Sequence, residues 1–155
     1  MLSATYEVIA WNELAAALME DFSALSRRDR NLIRRCFLGP FSDAGDFGAA
    51  ATNDLRAAAA RYPNDPDVTG LVAELVAGSE EFAALWNRHC VISRPALRKT
   101  FEHPLVGTVA VNCDVLDITD LDQRVVIYTA EPGSRSEEAL RLLSVLGTQR
   151  MDVPG

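Results

Sequence analysis

Histidine and cysteine are scarce in this chain of 155 residues, which has two of the first and three of the second. Neither His89 nor His103 sits in H-E-x-x-H, G-x-S-x-G or another nucleophile signature. Cys36, Cys90 and Cys113 are odd in number, widely spaced and without a C-x-x-C pair. They read as small core thiols in a reducing compartment rather than as a disulfide frame. His89-Cys90 with a distant Cys113 is also poor zinc spacing, because zinc ligands usually come in pairs a few residues apart. No catalytic residue, metal site or cofactor is expected, and the chain reads as a non-enzyme.

Long apolar runs are missing too. No stretch approaches the ~18 residues of a membrane span, and Met1 to Trp11 lacks the basic start and apolar run of a signal peptide. A cytoplasmic protein with no membrane contact is expected. There is no excess of positive charge: the formal net charge is -7. An anionic surface repels phosphate and gains nothing from counterion release, which excludes direct nucleic-acid binding by this chain. Internal repeats and low-complexity linkers are absent, apart from a short alanine run at Ala57 to Ala60.

What remains is 48% apolar residues in a length suited to one domain over residues 1–155. Such a domain buries roughly 68 to 70% of its unfolded surface. Thr5 to Trp11 alternates Tyr6, Val8 and Ala10 against Glu7, Ile9 and Trp11, and predicts a strand. Asn12 then caps a helix running to about Phe22, with Glu13 at its positive end. A second helix is predicted over Ser26 to Leu38, stapled by Leu25 and stopped by Gly39-Pro40. Asp46 to Tyr62 predicts a third, Pro66 to Gly78 a fourth, and Glu80 to His89 a fifth behind Ser79.

After Arg94-Pro95 the period changes. Leu97 to Glu102, Thr108 to Ile118 and Arg124 to Ala130 alternate or run apolar, and the short links between them demand antiparallel neighbours. Glu131-Pro132-Gly133 ends the last strand, and Ser134 or Ser136 caps a final helix carrying Leu140, Leu142, Leu143 and Leu146. The expected fold class is α+β: a PAS-like antiparallel sheet covered by a helical insert, with a C-terminal helix. That order encloses a gap between sheet and helical lid.

Five motifs follow one another in order: Trp11-Asn12-Glu13-Leu14-Ala15-Ala16-Ala17-Leu18, Arg30-Asn31-Leu32-Ile33-Arg34, Phe82 to His89, His103-Pro104-Leu105-Val106-Gly107, and Tyr128-Thr129-Ala130-Glu131-Pro132-Gly133-Ser134. Together, over about Thr5 to Leu146, they resemble the MmyB-like transcription regulator ligand-binding domain. The resemblance implies the sensor half of a bacterial regulator whose N-terminal half is an Xre-type helix-turn-helix domain, with a long-chain fatty acid as a plausible ligand. It also implies that the DNA-binding half lies outside this chain, and that the strand preceding the corner is reduced to a few residues near Leu2. DNA is then reached only through that helix-turn-helix domain. Cys90 replaces an acidic residue of the family pattern, and Asn112-Cys113-Asp114 an acidic-aromatic-acidic triplet, so ligand preference is expected to differ from that of relatives.

For a ligand, the candidate site residues are Arg30, Cys36, Phe37, Phe82, Trp86, His89 and Tyr128. Trp86 and His89 lie three apart and share a helix face, which gives either an apolar wall with a proton-switchable donor or a core Trp beside a structural His. Arg30, nearest the apolar side of its helix, is the candidate partner for a ligand carboxylate; a solvated basic face is the other reading of Arg27 to Arg35. Tyr128 either lines a cavity or packs on the sheet. The expected partners are a small apolar ligand and a second copy of the chain. A dimerisation module with a packed core and no ligand is the alternative.

Overall fold

The computed structural model describes residues 1–39, 45–88 and 97–149. Helices α1 (Glu13–Leu18), α2 (Leu32–Leu38), α3 (Gly45–Arg61), α4 (Pro66–Gly78) and α5 (Glu80–Asn87) precede strands β1 (Leu97–His103), β2 (Gly107–Ile118) and β3 (Gln123–Thr129), and α6 (Arg135–Gln149) follows. The sheet is antiparallel in the order β1-β2-β3, so the architecture is α+β.

Local chemistry sets most boundaries. The Asp65 carboxylate accepts from the Asp67 and Val68 amides, and Pro66 supplies a first helical residue that has no N–H to satisfy. Ser79 closes α4 and caps α5 by accepting from the Phe82 amide at 3.1 Å. On α3 the buried stripe Gly48, Ala51, Thr52, Leu55 and Ala58 has helical spacing, and Thr52 returns its hydroxyl to the Gly48 carbonyl at 2.7 Å. Ser134 accepts from the Glu137 amide and starts α6.

Two apolar cores result. The larger joins Leu2, Tyr6, Val8 and Phe22 to Ile33, Phe37, Leu55, Leu75 and Phe82 of the helical layer. The smaller places Leu18 of α1 and Ala139 and Leu143 of α6 on Val109 and Val111 of β2. His103 ties the β1–β2 turn to α1, with Nε2 3.0 Å from the Ala17 carbonyl.

Three sequence-based expectations need correction, all near the N-terminus. Thr5 to Trp11 is not a regular strand. Tyr6 takes a left-handed backbone, φ 65°, and the segment makes only isolated bridges, Leu2 with Val8 and Arg124, and Glu7 with Asn31. The predicted alternation still holds where it matters, since Tyr6 and Val8 are buried and Glu7 and Ile9 are less so. Helix α1 stops at Leu18 rather than Phe22, because Asp21 accepts from Ser23 and starts a separate 3-10 turn, Phe22–Ala24. Helix α2 begins at Leu32, not Ser26. Ser26 and Asp29 close one turn of their own, and extended Asn31 then caps α2 through the Arg34 amide. Pro40, His89, Cys90 and Arg94-Pro95 lie outside the described residues.

Candidate functional site

Helix α3 approaches the sheet by polar contacts rather than by packed apolar ones. Asp54 accepts from the Tyr6 hydroxyl at 2.5 Å and stands 3.0 Å from the Arg124 guanidinium of β3. At its C-terminal end, Arg61 and Tyr62 both engage the Asp122 carboxylate in the β2–β3 turn. One turn before Asp54, α3 borders one cleft with Ala50, next to Phe47, and between these anchors it borders another with Ala57 and Ala58. Alanines are too short to fill the space.

The first cleft is a pocket of about 410 Å³, partly open to solvent. That is within the usual range for small-molecule sites, roughly 300–1,000 Å³. Its wall has three parts. The N-terminal segment and α1 bring Leu2, Tyr6, Val8, Trp11, Ala15 and Met19; α2 and α3 bring Leu32, Phe47 and Ala50; the inner sheet face brings Lys99, Cys113, Val115, Arg124, Val126 and Tyr128. Register explains the last group, because Cys113 lies opposite Tyr128 and Val115 opposite Val126, so the four point to one side. The pocket lies where the two cores meet, drawing residues from both. The second cleft, about 290 Å³, is lined largely by polar residues around Asp122.

Charge in the larger pocket is unequally satisfied. Arg124 stacks on the Tyr6 ring, 4.9 Å from its centroid, and is held by Asp54 and by Asp117 at 3.1 Å. Lys99 stands over two rings, Phe47 at 4.9 Å and Tyr128 at 5.8 Å, and no ion pair to it occurs among the described residues. Burial pushes its ammonium below the usual amine range, partly offset by the Cys113 and Cys36 thiols. Burial also raises the Tyr128 phenol, reinforced by Cys113. The Cys113 thiol is raised chiefly by burial as well, which makes it a poor nucleophile.

The sequence-predicted site residues separate into groups. Tyr128 lines the pocket. Arg30 stacks over Trp11, 5.7 Å from the ring centroid, and it is Trp11 rather than Arg30 that faces the pocket. Within the helical core Phe37 meets Phe82 edge-on at 5.1 Å and Phe82 stacks on Trp86 at 5.6 Å, with Arg56 over Trp86. None of these three lines the pocket. Cys36 is half-buried against the same core, and His89 lies outside the described residues.

Sequence reasoning missed Lys99, Tyr6, Phe47 and Arg124. A signal for Lys99 existed. In an alternating strand it shares a face with Phe101, and a lysine at an inward position is unusual. Among the described residues, no group of three or more His, Cys, Asp or Glu side chains is placed to hold a metal ion, and no helix is long and apolar enough to cross a membrane.

Compared with known proteins, residues 1–143 match the family model for the MmyB-like transcription regulator ligand binding domain. No curated protein and no solved structure matches the chain.

Proposed function

The chain belongs to the MmyB-like transcription regulator ligand binding domain family, and on that premise we propose that its 410 Å³ pocket holds a small, mainly apolar ligand such as a long-chain fatty acid. The family is one of ligand-sensing regulatory domains, not of enzymes. The pocket itself is the observation that supports the reading. Its aliphatic and aromatic wall favours a hydrocarbon chain, and each buried methylene contributes about 0.8 kcal/mol, so ten give a gross ~8 kcal/mol before association costs are subtracted. The tail supplies affinity, while a head group sets orientation.

Occupancy acts by shifting the population of two states, to the extent that the ligand binds one more tightly than the other. An attached helix-turn-helix domain in the cytoplasm then reads the shift at DNA. Native mass spectrometry with lipid extraction tests the first step, together with calorimetric titration of decanoate and decanol. Ala50→Trp, which fills the pocket from α3, is expected to lower affinity for both at least ~tenfold. A wild-type protein that binds neither ligand, or an Ala50→Trp variant that binds both unchanged, overturns the reading.

The alternative, a dimerisation module, has one observation in its favour. Leu142, Val145 and Leu146 form an exposed stripe on α6, at 50%, 56% and 36% accessibility. Sedimentation tests it: a monomeric profile at high concentration removes it, and a dimer dispersed by Leu142→Glu supports it. A dimer that also binds ligand keeps the sensor reading and removes this alternative, which has a packed core and no ligand.

A further inference from the structure

We propose that Lys99 reads the ligand's head group, so that the pocket selects an apolar chain ending in a carboxylate; this rests on the ligand-binding reading above. The inference starts from an imbalance. Lys99 projects from β1 to the inner face, opposite Val111, and its ammonium lies between the Phe47 and Tyr128 rings, both of which line the pocket. Ring faces attract a cation but accept none of its three N–H bonds in the way an oxygen does. No carboxylate among the described residues forms an ion pair with it, and no hydrogen bond to its Nζ is formed there. A half-buried ammonium without an oxygen partner is only partly solvated, and a ligand carboxylate supplies that partner.

The two nearby arginines are placed differently from Lys99. Arg124 faces two carboxylates, Asp54 and Asp117, at 3.0 and 3.1 Å. Arg30 stacks on Trp11 and does not line the pocket. The one carboxylate lining the pocket is that of Asp46, an exposed residue in the first turn of α3 that makes no ion pair with Lys99 among the described residues. One ammonium suits a monoanion. A cationic head group is repelled, and an alcohol leaves the charge unbalanced.

Calorimetry of decanoate and decanol on the full chain decides it, with wild type, Lys99→Met, Lys99→Arg and Arg30→Ala. Wild type is expected to prefer decanoate by about tenfold or more, the scale of one charge-assisted hydrogen bond. Lys99→Met brings the ratio to about one while decanol affinity is kept, which also certifies the fold. Lys99→Arg retains the preference, and Arg30→Ala leaves it unchanged. Equal affinities in wild type, a preference that survives Lys99→Met, or one lost in Arg30→Ala instead overturns the assignment. If wild type binds decanol but shows no preference for the acid, only the head-group assignment falls. If it binds neither, the ligand-binding reading falls as well.

Discussion

Asn31 shows how much one side chain carries in this fold. It is 7% exposed, accepts from the Arg34 amide at 2.9 Å and donates to the Thr5 carbonyl at 2.8 Å, so it starts α2 and holds the N-terminal segment against it. Asn31→Ala removes the cap and orphans a carbonyl. A loss of about 2 kcal/mol in urea unfolding is expected. Glu7, on the same segment, accepts two bonds from Arg27 at 2.9 and 2.8 Å, and these hold its carboxyl below the usual range. A depressed folded value means that the contribution is present above the unfolded carboxylate pKa and disappears as pH falls through the folded one. Glu7→Gln is therefore expected to lower the urea midpoint at pH 7, by no more than the roughly 0.2–1 kcal/mol of a surface pair, and to leave it unchanged near pH 2.

Among elements, legibility followed the independence of the local signal. Helices α3 to α5 and all three strands were predicted within a few residues, because proline, capping serine or aspartate, and apolar spacing each act over one or two turns. The region from Thr5 to Asn31 was not: Thr5 to Trp11 bonds to partners distant in sequence, and local caps at Asp21 and Asn31 cut two predicted helices short. Tyr6 bonds Asp54, and Leu2 exchanges backbone bonds with Arg124 at 2.8 and 2.9 Å. A tyrosine at positive φ costs about 1–2 kcal/mol, and no local rule anticipates it. Helix α4 offers the converse, an element whose sequence is not optimal for its own structure. Gly70 lies exposed within it, and a Cβ there meets nothing within 4 Å. Gly70→Ala is expected to raise stability by roughly 0.5–1 kcal/mol, seen as a higher melting temperature.

Across the whole molecule, the pocket exists because two cores meet imperfectly. The helical layer is tied to the sheet at Asp54 and Asp122, and the pocket lies beyond the Asp54 tie, where α3 borders it with Asp46, Phe47 and Ala50. One of its walls is the N-terminal segment, which is held by isolated bridges rather than by a strand ladder. Local opening of such a segment costs less than global unfolding, and a ligand that touches it raises that cost. Saturating decanoate is expected to slow amide exchange at Leu2, Val8 and Arg124 several-fold more than at Phe82 in the packed helical core, as read by mass spectrometry. Uniform slowing would mean that the ligand stabilises the protein only globally.

The amino-acid sequence by itself determined the α+β class, the antiparallel order of the strands, the inward alternation of Tyr6 and Val8, and the family. Each of these depends on periodicity, capping or short-range motifs that do not require knowing where the rest of the chain lies. Tertiary structure alone decided the pocket. Arg30 against Trp11, Phe82 within the core, and Lys99 between two rings all depend on which faces of separate elements meet, and side-chain charge is paired or stranded only once those faces are in place.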